Sequence, residues 1–96
     1  MRDSAVAEGE ILGRWEDIRP YAEAIYMIYK NTSGELLLKK VLPDGESYDM
    51  KISTSDNIKF IHLDKDLSSE YMKIEPNGGL GMYNSENVKF VELASI

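Results

Sequence analysis

The sequence predicts an all-β domain: an antiparallel up-and-down meander of six to eight short strands forming a small closed or partly open barrel. Three observations predict it. Turn signals recur about every eight to twelve residues, the spacing of a meander. They are Asn31-Thr32-Ser33-Gly34, Pro43-Asp44-Gly45, Thr54-Ser55-Asp56-Asn57, Asp64 to Ser69, Pro76-Asn77-Gly78-Gly79 and Asn84-Ser85-Glu86-Asn87. Short runs rich in Ile, Val, Leu, Tyr and Phe lie between them, the residue types that suit a pleated, half-buried surface. Turn chemistry then sets registers in which apolar residues face apolar residues across the strands.

The expected strands lie near 11–16, 22–30, 35–42, 47–53, 58–63, 70–75, 80–83 and 88–93, with residues 1–10 as a polar tail and 11–96 as one β domain. A strongly bent open sheet is the alternative to a barrel. Tyr21 to Lys30 follows Pro20 and contains Ala-Glu-Ala, which a helix would accept in its first turn. Its β-branched and aromatic run Ile25-Tyr26-Met27-Ile28-Tyr29 favours strand.

Leu42-Pro43-Asp44-Gly45 suits a type I turn followed by a left-handed glycine, the three-residue hairpin loop with a bulge. That loop pairs Leu42 with Glu46, Lys40 with Tyr48, Leu38 with Met50 and Leu36 with Ile52. A two-residue loop would pair Leu38 with Lys51 and split the apolar residues between faces. Glu75-Pro76-Asn77-Gly78 has the same chemistry and sets Ile74 opposite Leu80 and Met72 opposite Met82. In the fourth strand Tyr48, Met50 and Ile52 face inward, and Ser47, Asp49, Lys51 and Ser53 face outward.

The second hairpin is unusual. A turn across Asn31 to Gly34 that pairs Lys30 with Glu35 gives one face of Ile25, Met27, Tyr29, Leu36, Leu38 and Leu42. The other face carries Ala22, Ala24, Tyr26, Ile28, Leu37 and Val41. Both faces are apolar, more than a half-buried sheet needs. Large apolar patches mark interaction sites, and Tyr is enriched in them. Tyr26, Ile28, Leu37 and Val41 are therefore the expected partner-binding residues. The competing expectation is internal cover by Val6, Ile11, Leu12 and Trp15.

Composition narrows the function. The 96 residues include 17 acidic and 11 basic side chains, for a formal charge of −6. That balance argues against duplex nucleic acid and anionic membranes, which reward basic patches. The absence of cysteine removes disulfides, thiolate metal sites and thiol nucleophiles. No run approaches the ~18 apolar residues of a membrane span. The first ten residues lack the apolar stretch of a signal peptide; a cytoplasmic start and a mature exported chain both fit them.

Chemical motifs are sparse. Asp64, Asp66, Ser68 and Glu75 stand at positions 1, 3, 5 and 12 of an EF-hand-like spacing, with Ser69 where the loop needs Gly. A solvated connection between strands is the expected reading. His62, the only histidine, alternates with Ile58 and Phe60. It is expected to point inward near Tyr48, through a hairpin pairing Met50 with Phe60, as a structural histidine. Gly78-Gly79-Leu80-Gly81 lacks the lysine and strand-to-helix context of a phosphate loop; a turn and close packing explain it. Glu16-Asp17 and the Asp64/Asp66 pair have nothing that places them across a cleft. No catalytic residue, metal or cofactor is expected, and the chain reads as a non-enzyme.

Gly13-Arg14-Trp15, placed at the start of the first strand and ahead of an eight-strand meander, resembles the Gly-x-Trp opening of lipocalin-like proteins. The resemblance implies a meander barrel whose tryptophan closes one end and whose interior holds a small apolar ligand. Trp15, Met27, Tyr29, Met50, Phe60 and Met82 would then line the cavity. The chain is much shorter than a usual lipocalin, and short strands with inward Met, Tyr, Leu and Ile favour a filled interior. The leading expectation is a non-enzymatic interaction module that self-associates or binds or inhibits a protein partner. The alternative is a lipocalin-like carrier of a small apolar ligand.

Overall fold

The computed structural model describes residues 10–67 and 69–96. Eight antiparallel strands form a closed barrel in sequence order: β1 (Glu10–Glu16), β2 (Ile25–Lys30), β3 (Leu36–Val41), β4 (Ser47–Thr54), β5 (Lys59–His62), β6 (Tyr71–Ile74), β7 (Leu80–Tyr83) and β8 (Lys89–Ser95). One turn of 3-10 helix, Lys65–Leu67, lies between β5 and β6. Residues 21–24 carry no helix and lead into β2, as the β-branched run requires. Val6 and the rest of the expected tail up to residue 9 lie outside the described residues.

One turn rule builds four of the seven connections between strands. In each of four hairpins the first loop-flanking residue bonds the carbonyl four residues on, and accepts from the amide three residues on. The pairs are Asn31–Glu35, Leu42–Glu46, Glu75–Gly79 and Asn84–Val88. The residue before the second partner takes positive φ in every case: Gly34 (87°), Gly45 (95°), Gly78 (90°) and Asn87 (65°). Glycine and asparagine are the residues that tolerate this backbone. The registers expected for the β3–β4 and β6–β7 hairpins form: Leu38 opposite Met50, Lys40 opposite Tyr48, Ile74 opposite Leu80 and Met72 opposite Met82.

Two expected registers are corrected. Asn31 pairs with Glu35, so Lys30 faces Leu36 rather than Glu35. The slip is one residue and exchanges the two faces of the hairpin relative to each other. In the next hairpin Phe60 pairs with Thr54, not Met50, and His62 lies opposite Ile52 rather than near Tyr48. The physical reason is a later turn. The Thr54 hydroxyl donates to the Lys59 carbonyl at 2.7 Å, and Asp56 Oδ1 accepts from the Ile58 and Lys59 amides at 2.9 Å each. These bonds carry β4 on to Thr54 before the chain reverses.

The barrel interior is filled by Trp15, Ala24, Tyr26, Ile28, Leu38, Ile52, Phe60, Met72, Leu80 and Leu93, with Met50, Ile74, Met82 and Val91 packed against them. Burying each large side chain contributes about 1.5–3 kcal/mol. The barrel closes through a short seam, Trp15 opposite Ser95 and Glu16 opposite Ala94, extended by the Ile96 amide donating to the Arg14 carbonyl at 3.2 Å. Trp15 reinforces that seam by reaching across β8: its indole N–H donates to the Gly78 carbonyl at 2.8 Å. The ring lies over Gly13, where a Cβ would collide with its six-membered edge. Glycine two residues before this tryptophan is thus a packing requirement. Gly13 is the middle residue of β1 and Trp15 lies near its end, because the strand starts at Glu10.

Candidate functional site

Alternation along β1–β4 assigns every outward residue. Trp15, Tyr26, Ile28, Leu38 and Met50 face the core, so their neighbours face out. The cross-strand partners form three rows on the outer face: Glu16, Ile25, Val41 and Ser47; Arg14, Met27, Lys39 and Asp49; Ile11, Tyr29, Leu37 and Lys51. A bulge in β1 between Ile11 and Gly13 keeps Ile11 beside Tyr29 on this face.

The rows give the face an apolar centre and a polar rim. Ile25, Met27, Tyr29, Leu37 and Val41 occupy the middle two strands. Ile25 and Ile11 are about two-fifths exposed, at 40% and 43%. Tyr29 is the most covered member: Ile11 and Leu37 flank it, its hydroxyl donates to Asp49 Oδ1 at 3.2 Å, and the Lys39 ammonium lies 5.5 Å from its ring centre. On the rim Lys51 pairs with Glu35 at 3.5 Å, both exposed. Arg14 is exposed, and its side chain meets no acidic or hydrogen-bonding partner among the described residues.

The expected partner-binding set is therefore split. Leu37 and Val41 lie on the outer face, half-buried. Tyr26 and Ile28 point into the barrel, where Ile28 is 0% exposed, and they form no outer surface. Ile25, Met27 and Tyr29 take their place. Of the expected cavity residues, Trp15, Met50, Phe60 and Met82 face the interior, whereas Met27 and Tyr29 face out. Both corrections follow from the one-residue slip at Asn31. The signal was present: Gly34 stands third in its loop, as Gly45 does in the Pro-Asp-Gly turn.

The opposite outer face, on β5–β8, is organised differently. Tyr71 and Tyr83 are cross-strand partners whose rings stack at 4.9 Å, 1° from parallel. Lys59 lies 4.4 Å from the Tyr71 ring centre, and the Tyr71 hydroxyl donates to Asn87 Oδ1 at 2.9 Å. The Tyr83 hydroxyl donates to Glu75, which raises the tyrosine pKa, and Lys89 bridges to Glu92 at 2.6 Å and to Glu75 at 3.9 Å. Gly81 leaves room for this group, because a Cβ there would meet Glu75, Tyr83 and Lys89.

The remaining sequence candidates are dispersed. Glu75 is turned to Tyr83 and Lys89, Ser68 lies outside the described residues, and the described residues hold no cluster of three metal-ligating side chains. His62 is half-buried, and burial lowers its pKa below the ordinary 6.5 against the opposing pull of Glu70 and Asp64. Asp17 is 3% exposed and takes two bonds from the Arg19 guanidinium, at 2.9 and 2.6 Å; that partnership lowers its pKa. It also holds the β1–β2 connection, where the Asp17 amide donates to the Ala24 carbonyl at 2.8 Å. A partly open cleft of about 590 Å³ sits between the start of β1, the β2–β3 turn and the end of β4, and Leu12, Leu36, Ile52, Lys30, Glu35 and Lys51 are among its walls. No described helix is long and apolar enough to cross a membrane.

Comparisons with protein-family models, with curated proteins and with solved structures find no match to this chain.

Proposed function

We propose that the protein is a non-enzymatic interaction module that docks through the outer face of β1–β4. The observation that carries this reading is the apolar stripe Ile25, Met27, Tyr29, Leu37 and Val41 on the outside of a barrel whose inside is already filled. Ile25, Met27, Leu37 and Val41 lie outside the buried core, whereas Tyr29 is 5% exposed and already covered. A sheet face turned to water is expected to alternate to polar residues, as Ser47, Asp49 and Lys51 do on β4. An apolar centre within a charged rim is the usual layout of a protein–protein interface.

The test is the double variant Met27→Glu with Leu37→Glu. It is expected to keep the far-UV spectrum and a melting temperature within a few degrees of the parent, since both side chains lie outside the core. It is also expected to lose binding of an apolar dye and any association seen by light scattering. Unfolding of the variant would show that these residues serve the fold, and unchanged dye binding and association would show that the face docks nothing.

A further inference from the structure

We infer that the edge of β4 from Ser47 to Met50 docks a basic, extended peptide segment of a partner protein, paired to β4 in line with β5. This site is separate from the outer face above and does not depend on it. The argument starts from hydrogen-bond parity. Successive residues of a strand direct their N–H and C=O groups to opposite neighbours in turn. The Leu42 amide donates to the Glu46 carbonyl across the β3–β4 hairpin, so Glu46, Tyr48 and Met50 serve β3. Ser47, Asp49 and Lys51 serve the other side, where the Lys51 carbonyl accepts from the Leu63 amide at 3.0 Å.

The chain leaves that side at Leu63. β5 is in register with β4 only over Ile52, Ser53 and Thr54. The residues next due, opposite Asp49 and Ser47, are 65 and 67, and Lys65–Leu67 coil into the 3-10 turn instead. Asp64 helps set that turn, its Oδ1 accepting from the Asp66 amide at 2.9 Å. The edge-facing backbone groups of Ser47 and Asp49 therefore have no protein partner among the described residues, and both residues are exposed. Tyr48 shows the same gap from the inside. It lies on the core side of β4 with Met50 and Ile52, yet it is 51% exposed, because no strand stands beside it. An open cleft of about 320 Å³ separates Asp49, Met50 and Lys51 from Leu63 and Asp64.

The edge states the chemistry of its occupant. Its bonding groups repeat about every 7 Å, two residues of strand rise, and an extended backbone matches that repeat. The occupant's residue beside Tyr48 turns inward and is apolar, closing over Tyr48 and Met50. The residue beside Asp49 turns outward and is Lys or Arg. Asp44, Glu46, Asp64 and Asp66 flank the slot, against Lys65. Lys51 is bridged to Glu35 at 3.5 Å, and Lys39, the β3 partner of Asp49, lies 5.5 Å from the Tyr29 ring centre. The same acidity sets this edge against a second copy of itself. Two edge residues give a short contact, so binding in the range of about 0.1–1 mM is expected.

The experiment follows backbone amides of the full chain by nuclear magnetic resonance. The probe is a capped heptapeptide of alternating Lys and Val. In the peptide-free chain the Tyr48 and Met50 amides are expected to exchange slowly and those of Ser47 and Asp49 fast. Peptide is expected to shift and slow Ser47 and Asp49. Methylating the Lys backbone nitrogens, which face the edge, is expected to abolish binding, whereas methylating the Val nitrogens is not. Glu in place of Lys is expected to weaken binding at least about fivefold, by turning opposite-charge pairs into like-charge pairs. Ser47→Pro is expected to keep the β3 ladder, because that N–H points away from it, and to weaken the peptide at least about fivefold. Slow exchange at Ser47 and Asp49 without peptide, no response to 1 mM peptide, or equal binding of the Lys-methylated or Glu peptide would each overturn the proposal. The Met27→Glu and Leu37→Glu chain is expected to bind the peptide like the parent, so this site and the outer face fail separately.

Discussion

The two outer surfaces of this barrel share one backbone pattern and use it in opposite ways. On β5–β8 the two outward tyrosines are held by their own neighbours, while Ile61 and Phe90 stay exposed: Tyr71 stacks on Tyr83, Lys59 covers the Tyr71 ring, and Glu75, Asn87 and Lys89 take up the polar groups. On β1–β4 the outward stripe is Ile25, Met27, Leu37 and Val41 around a covered Tyr29, and Arg14 at its edge has no side-chain partner among the described residues. The contrast is between a face whose stacked tyrosines are tied by polar neighbours and one whose centre is an aliphatic stripe with few polar contacts. Cross-strand pairs stabilise a sheet by about 0.2–1 kcal/mol each wherever they occur. Both faces form such pairs, Tyr71 with Tyr83 on one and Tyr29 with Leu37 on the other.

The comparison can be broken most severely at β2, where inside and outside are adjacent residues. Ile28→Ala is expected to destabilise by about 2–5 kcal/mol, because it opens a cavity in a fully packed core. Met27→Ala, one residue away, is expected to cost under about 1 kcal/mol in denaturant titration, as exposed-side substitutions do. Equal losses at the two positions would mean that the outer stripe is a second core.

Two of the packed glycines, Gly13 and Gly81, sharpen the contrast at smaller amplitude. Gly13→Ala drives a methyl into the Trp15 ring, which is held by its bond to Gly78 in the core. A loss of about 1–3 kcal/mol is expected, with a shift in the emission of the single tryptophan. Gly81→Ala meets the carboxylate of Glu75, the Lys89 stem and the edge of Tyr83, side chains that can shift more readily than the Trp15 ring. Its cost is expected to be smaller, read as a few degrees at most in melting temperature. A larger loss at Gly81 than at Gly13 would show that the tyrosine face is the more rigid structure.

The smallest effect is pH dependence from His62. Burial holds its folded pKa below 6.5, so the unfolded chain binds the proton more readily. Stability is then present above about pH 6.5 and lost as pH falls through the folded value. His62→Gln is expected to flatten the melting temperature over that window without changing the plateau above it. A parent chain whose melting temperature rises as pH drops below 6.5 would contradict the burial of this ring.

Much of this molecule was legible before folding because its signals are local. Positive φ at Gly45 and Gly78 is a property of single residues, and it fixed two registers through turns of known length. The same logic extends to Gly34 and would have placed Met27 and Tyr29 outside. The Thr54–Lys59 turn was less readable, since side-chain hydrogen bonds of Thr54 and Asp56, not a glycine, decide where that strand ends.

By itself the sequence determined a meander of six to eight strands and which hairpins fold back on themselves, since each depends on neighbours a few residues apart. Only the tertiary structure decided that the first and last strands meet, that Trp15 spans the seam to Gly78, and that Arg14 and Asp49 end one outward row. Those facts depend on residues brought together from distant strands. Closing the barrel is what turned an alternating pattern into a definite inside and outside.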